Sequence, residues 1–169
     1  MPLGQPASRS TIPSILVFGA LLLAGPLHAQ QAPDSLIIEI AGRTTVVRSL
    51  AGLPRDTATS TFGASAERYS GVPLRALLEQ AGFPRTRLRG PALARYVIAE
   101  AVDGYRVIFG VADLDTTLVA HRILVADSAG GRPLAADQGR WRLVVVGDRG
   151  GARSVRLLTA LRVRESATP

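Results

Sequence analysis

The segment YSGVPLRALLEQAG, residues 69–82, is the clearest helical pattern in the chain and constrains its fold most. Its apolar residues follow the i, i+3, i+4, i+7 spacing of one buried helix face, namely Leu74, Leu77, Leu78 and Ala81. Pro73 suits the first turn, and Ser70 or Gly71 is positioned to cap it. Gly82 provides a stop signal. The pattern predicts one amphipathic helix.

The apolar runs on both sides of this helix are short and rich in β-branched residues, which favours strands. Turn signals at Gly42-Arg43, Asp103-Gly104 and 129–131 each divide two such runs, as expected for hairpins. WRLVVVGD, residues 141–148, carries a continuous apolar stretch typical of a central strand buried on both faces. The sequence therefore predicts an α+β domain, a strand-dominated mixed sheet with one main helix.

In the last strand-like segment, RSVRLLTALRVRE, residues 153–165, apolar and polar residues alternate over most of the length. The alternation predicts two faces. One face contains Val155, Leu157, Leu161 and Val163, and the other contains Arg156, Leu158, Arg162 and Arg164.

The N-terminus has the order of a secretory signal peptide: a short polar segment with Arg9, an apolar core, and a small-residue end at Ala29. We expect a signal peptide at 1–29, a tether at 30–35, a domain at 36–164 and a tail at 165–169. A Sec-type signal implies a periplasmic or secreted protein with no membrane span after cleavage. An uncleaved membrane anchor is the alternative.

Composition restricts the chemistry of this domain. The chain has no cysteine, and His121 is the single histidine after residue 29. A zinc site of nitrogen and sulfur ligands therefore cannot be assembled, and His121 is expected at a strand edge or on the surface. Removing Arg9 leaves 19 basic and 13 acidic residues, a charge of +6, which suits anionic ligands. Aromatic residues make up only 5% of the chain, which argues against nucleic-acid binding.

Two weaker motifs leave alternatives open. GASAE, residues 63–67, approaches a nucleophile elbow, and a triad of Ser65, His121 and an aspartate can be drawn on paper, but the final glycine is missing. GDRGGARS, residues 147–154, is either a backbone nest for an anion or a surface turn.

Five segments, in order, resemble the sulfite-oxidase-type oxidoreductase molybdopterin-binding domain. They are LIIEIAG…TTVVRSLAGLPR, YSGVPLRALLEQAG, EAVDGYRVIFGVADL, ILVADSAGGRPLAADQGRWRLVVVGD and ARSVRLLTALRV. Together they cover about residues 36–164, nearly the whole predicted domain. The resemblance implies the α+β fold of that family and a molybdenum–pterin site.

In catalytic members of the family, a cysteine thiolate before the helix binds the metal. The matching stretch here, TATSTFGASAERY, contains only the hydroxyls of residues such as Ser60, Thr61 and Ser65, and these replace a thiolate poorly. We therefore predict no catalytic residue and no metal ligand.

Three arginines resemble basic residues near the pterin phosphate of catalytic relatives. They are Arg142, Arg153 and Arg156. Arginine suits bidentate contact with phosphate, so we predict that these three residues bind the cofactor. The alternative is that they are ordinary exposed arginines without a binding role.

These features lead to two functional hypotheses. The first is an exported, cofactor-free, non-redox ligand-binding or accessory module of this fold. The alternative is a molybdopterin-dependent oxidoreductase of the sulfite oxidase type, acting on sulfite or a sulfoxide. The expected partners are an anionic small molecule or pterin, or a periplasmic redox partner protein.

Overall fold

The computed structural model describes residues 34–61 and 66–166. The predicted signal peptide at 1–29, most of the tether at 30–35 and the end of the tail at 165–169 lie outside the described residues. Among those that are described, no helix is long and apolar enough to cross a bilayer.

The described residues form ten strands and one α-helix. The strands are β1 (Leu36–Ile40), β2 (Arg43–Val47), β3 (Asp56–Ser60), β4 (Glu67–Pro73), β5 (Arg95–Ala101), β6 (Arg106–Gly110), β7 (Arg122–Ala129), β8 (Arg132–Pro133), β9 (Arg142–Val146) and β10 (Leu158–Glu165). The helix, α1, spans Leu74–Gln80. Short 3-10 turns occupy Gly90–Ala94, Val111–Leu114 and Gly151–Arg153.

The strands form two sheets. Sheet A has the order β2-β1-β10-β5-β6, in which β1 and β10 are parallel and the other pairs are antiparallel. Sheet B has the order β3-β4-β7-β8, and β9 also pairs with β7. The strand-dominated architecture with one helix agrees with the α+β prediction.

All three predicted hairpins form. The turn at Ala41-Gly42 joins β1 to β2, Asp103-Gly104 lies between β5 and β6, and Gly130-Gly131 joins β7 to β8. The first and third are two-residue turns, which match the right-handed twist of the paired strands. The β5–β6 connection is longer and spans residues 102–105.

Helix α1 forms where its apolar spacing predicts, but its start was predicted wrongly. Leu74, Leu77 and Leu78 are buried. Ser70 and Gly71 do not cap the helix, because both belong to strand β4, which continues to Pro73. The tertiary pairing of β4 with β3 and β7 uses these backbone groups in place of a helix cap.

The main core lies between the two sheets and beneath α1. The largest fully buried side chains of the described residues are Trp141, Phe109, Leu36, Ile38, Leu74, Leu77, Leu78, Leu124, Leu143, Leu158, Leu161 and Val72, and all but Leu124 belong to this core. Burial of this apolar area is the dominant favourable contribution to folding in a chain without disulfides.

Sheet B curls so strongly that its second face is also buried. Cα atoms of β3 and β9 approach within 8 Å, although two strands separate them in the sheet. The curled face encloses a small cluster of Tyr69, Ala126 and Val144. Gly71 lies so close to β7 that a Cβ there would be 2.2 Å from the Val125 carbonyl oxygen.

Strand β9 is buried as predicted, but it is not a central strand. Its one strand partner among the described residues is β7. Along its other edge, the N–H groups of Leu143 and Val145 donate to the Val155 carbonyl at 2.8 Å and to the Ser154 hydroxyl at 3.0 Å. An irregular segment thus covers the edge where a strand was expected.

The predicted faces of the last segment were wrong around its middle. Leu158 is buried with Val155, whereas Leu157 is half-buried. The cause is Leu157, whose φ of 51° interrupts the strand alternation just before β10 begins.

Candidate functional site

A cleft of about 730 Å³ opens beside the turn between β5 and β6. It is bounded by the β5–β6 turn, the segment before β9, and the chain between β9 and β10. The lining residues are Ala101, Val102, Asp103, Tyr105, Ala136, Asp137, Gly151, Ala152, Ser154, Arg156 and Leu157. The cleft therefore combines one arginine, two carboxylates and backbone groups.

Arg156 is the predicted cofactor-binding residue that lines this cleft. Its side chain is 60% exposed, and its Nη1 is 3.7 Å from Oδ2 of Asp137. An ion pair that long and that exposed is weak, so it competes little with an incoming anion. Arg156 is thus able to receive a phosphate or carboxylate from solvent.

Arg142 lies behind the cleft, with only 9% of its surface exposed. It begins β9 and points into the curled face of sheet B. Its Nη1 donates to the Tyr69 hydroxyl at 3.1 Å and to Oε1 of Gln138 at 2.9 Å. Arg142 therefore contacts the protein in the described structure and does not line the cleft.

Tyr69 connects Arg142 to the end of the β3–β4 hairpin. The Tyr69 hydroxyl donates to Oε2 of Glu67 at 2.7 Å. Burial, together with this hydrogen bond, raises the pKa of Tyr69 to about 12, so the phenol stays protonated at neutral pH. The three side chains form a continuous polar line inside the curled sheet.

That line ends at the place where the family resemblance puts the metal-binding thiolate. Glu67 pairs with Ser60 across the hairpin. Ser60 is buried and Thr61 is exposed, whereas Ser65 and the candidate triad built on it lie outside the described residues.

Arg153 is directed away from the cleft. It closes the 3-10 turn and binds Asp148 through two hydrogen bonds of 2.8 and 2.6 Å. These hydrogen bonds raise the pKa of Arg153. Its guanidinium also lies 5.6 Å from the centre of the Phe109 ring. Residues 147–154 thus form a turn, one of the two alternatives that the sequence left open, and the ion pair of Arg153 with Asp148 closes it.

The segment Asp137-Gln138 brings two of the three predicted arginines together. Asp137 faces Arg156, and Gln138 accepts from Arg142. Sequence reasoning missed Gln138 and Tyr69. Tyr69 is 73 positions from Arg142 in the chain, and Gln138, although only four positions from Arg142, belongs to no motif that marks it.

His121 lies outside this cleft, just before β7. It lines a separate crevice of about 260 Å³ beneath α1. Its Nε2 is buried without a hydrogen-bond partner among the described residues, 3.7 Å from Oδ1 of Asp113. In the described parts of the chain, no group of three or more His, Cys, Asp or Glu side chains is arranged to hold a metal ion.

Comparison with known proteins identifies the family. The model of the oxidoreductase molybdopterin binding domain matches residues 42–169. A search of curated proteins gave no significant match. Among solved structures, the chain is similar to the sulfane dehydrogenase SoxCD from Paracoccus pantotrophus, with a TM-score of 0.61 and 21% sequence identity.

The structural match covers 79% of this chain and 39% of the SoxCD chain, so the likeness is one of fold and extends over less than half of that protein. The family model supports an oxidoreductase-type domain better than the non-redox accessory module expected first. Because the family model covers most of the sequence, this chain belongs to the oxidoreductase molybdopterin-binding domain family, of the sulfite oxidase type.

Proposed function

We propose that this chain is the cofactor-binding domain of a molybdopterin-dependent oxidoreductase of the sulfite oxidase type, and that Arg156 binds the phosphate of the pterin cofactor. The observation that supports this most is the position of Arg156 in a large cleft, with a weakly held guanidinium. Sulfite and sulfoxides are the substrate class that the family suggests.

The residues of the cleft fit the pterin part of such a cofactor. A volume of about 730 Å³ is within the range of small-molecule sites. The Arg156 guanidinium can bind a phosphate in a bidentate manner. Asp103 and Asp137 offer carboxylate oxygens that accept hydrogen bonds from ring N–H and amino groups.

No cysteine of this chain can hold the metal, because its 169 residues include no cysteine. A serine hydroxyl such as that of Ser60 loses its proton far less readily than a thiol. We therefore derive no catalytic step through the metal. If this chain binds molybdenum, the dithiolene of the pterin would be the group that holds the metal. The bound cofactor would supply the redox chemistry.

The missing thiolate also favours a second candidate, a domain that binds an anionic small molecule or a pterin without turning over a substrate. In this case Arg156 and the cleft have the same binding role. Where the ligand is a pterin, the two candidates differ only in whether electrons are transferred, for instance to a periplasmic redox partner protein.

We further propose that the chain is exported to the periplasm or secreted through a Sec-type signal. The support for this is the residue pattern of positions 1–29. Cell fractionation of the native host, with N-terminal sequencing of the recovered protein, tests the cleavage after Ala29; recovery of the uncleaved chain from the membrane fraction would contradict it.

Analysis of protein purified from a host that makes the cofactor separates the two functional candidates. Molybdenum is measured by mass spectrometry, pterin by the fluorescence of its oxidised form, and turnover with sulfite and a dye acceptor. Pterin, molybdenum and turnover together support the oxidoreductase. Pterin without turnover supports the binding module. Absence of pterin contradicts the oxidoreductase and a pterin-binding module, and leaves only a module that binds another anionic small molecule.

A further inference from the structure

The residue after Arg156 has a backbone conformation that L-amino acids rarely adopt. Leu157 has a φ of 51°, in the left-handed region. Leucine lacks the short polar side chain with which Asn and Asp offset the clash between Cβ and the backbone carbonyl in this region. Strain of this kind persists only where the surrounding structure imposes it, and it occurs most often at functional sites.

Backbone hydrogen bonds from several segments impose this conformation. The Leu157 N–H donates to the Gln138 carbonyl at 2.8 Å, and the Leu157 carbonyl accepts from the Val102 N–H at 3.1 Å. The next residue, Leu158, donates to the Trp141 carbonyl at 3.0 Å. Because these bonds fix the peptide groups on both sides of Leu157, the chain cannot relax to an extended form without losing them.

Close packing against Gly139 completes the restraint. A Cβ at position 139 would lie 2.9 Å from both the Cα and the Cδ2 of Leu157, closer than real Cβ contacts. The absence of a side chain at 139 is thus what lets Leu157 approach.

The left-handed residue also decides where Arg156 points. In a regular strand, residues 156 and 158 would share one face. Here Leu158 is fully buried in the core, whereas the Arg156 side chain is 60% exposed in the cleft. The left-handed conformation of Leu157 interrupts the strand alternation, so that Leu158 can enter the core while Arg156 stays in the cleft.

We propose that Leu157 and Gly139 are positioning residues, which hold the Arg156 guanidinium in the cleft through the left-handed conformation of Leu157. This inference rests on the proposed function, since it presumes that Arg156 binds an anionic group there. A guanidinium on a fixed backbone loses less conformational freedom when the anion binds, which strengthens binding without any contact from Leu157 itself.

Two substitutions at position 157 separate a conformational role from a packing role. Asparagine adopts the left-handed region more readily than other non-glycine residues, whereas a β-branched valine resists it but keeps an apolar side chain. The probe is inorganic pyrophosphate, titrated into the full chain by calorimetry. We expect Leu157→Asn to keep the wild-type Kd within about twofold and Leu157→Val to weaken it about tenfold.

The reverse order, with tight binding by Leu157→Val and weak binding by Leu157→Asn, would show that packing matters and would overturn the proposal. Equal affinities in both variants would overturn it as well. If Leu157→Val does not fold, Leu157→Ala replaces it, because alanine disfavours the left-handed region without β-branching. Leu157→Ala must then bind several-fold more weakly than Leu157→Asn.

Two arginine variants keep this inference distinguishable from the proposed function. Arg156→Gln should abolish pyrophosphate binding, and Arg89→Gln, at an exposed site outside the cleft, should not change it. If Arg156→Gln abolishes binding while both Leu157 variants bind normally, only the positioning role fails. If the wild-type chain does not bind pyrophosphate, the proposed role of Arg156 fails, and the positioning role fails with it.

Discussion

The guanidinium of Arg142 lies 5.2 Å from the centre of the Tyr69 ring and donates a hydrogen bond to the hydroxyl of the same residue. The two residues are 73 positions apart in sequence, at the start of β9 and within β4. Their contact lies at one end of the curled sheet, next to the β3–β4 hairpin, where the family resemblance places a metal-binding thiolate.

Removing the Tyr69 hydroxyl should weaken this end of the sheet. Tyr69→Phe keeps the ring but leaves Glu67 without its donor and removes one acceptor of Arg142. We expect the free energy of unfolding to fall by about 1–2 kcal/mol, measured by urea denaturation. Tyr96→Phe is the control and should change stability by less than about 0.5 kcal/mol. An equal loss in both variants would contradict the role of the Tyr69 hydroxyl.

Gly71 should tolerate no side chain, because β7 passes directly against it. A Cβ would lie 2.2 Å from the Val125 carbonyl oxygen and 2.5 Å from the Ala126 Cα. Gly71→Ala should therefore destabilise the fold by about 3 kcal/mol or more. Gly150→Ala is a matched control, since a Cβ there meets no atom within 4 Å and the backbone is extended. If Gly71→Ala left the free energy of unfolding nearly unchanged, β4 and β7 would have to be further apart at this point than the structure shows.

The ion-pair ladder on the outer face of sheet A should make stability fall in acid. Arg162 contacts both Glu39 and Glu100, while Arg164 and Arg106 contact one glutamate each. Hydrogen bonds from these arginines lower the pKa of both glutamates. A carboxyl with a lowered folded-state pKa stabilises the fold above its unfolded pKa and loses this contribution as pH falls through the folded value.

Unfolding free energy measured against pH should therefore decline below about pH 5, as the glutamates take up protons. Arg162→Met should make the decline shallower, because each glutamate then keeps only one arginine partner. Arg122→Met is a control outside the ladder, since Arg122 pairs with Asp56 of sheet B. Parallel curves for wild type and Arg162→Met would contradict this account.

Much of the fold was predictable because its signals are local. The helix face of Leu74, Leu77 and Leu78 and the Asp103-Gly104 hairpin depend on spacing and turn chemistry within a few residues. The cap at Ser70 and Gly71 was wrong because long-range strand pairing overrode the local preference.

The candidate site was predictable only in part. Resemblance to the family selected three arginines, and the structure places Arg156 in the cleft, Arg142 behind it and Arg153 on Asp148. Tyr69, which holds Arg142 together with Gln138, could not be found from the sequence because it is 73 positions away, and Gln138 is near in the chain but belongs to no recognisable motif. The strain at Leu157 was equally hidden, since strand alternation predicts an extended residue there.

Pterin content in three proteins tests the central claim most directly: wild type, Arg156→Gln and Arg89→Gln, each purified as the full chain from a cofactor-producing host. The account predicts bound pterin in the wild type and in Arg89→Gln, and at least a tenfold loss, about 1.4 kcal/mol in affinity, in Arg156→Gln. Wild-type protein without pterin, or full retention in Arg156→Gln, would contradict it.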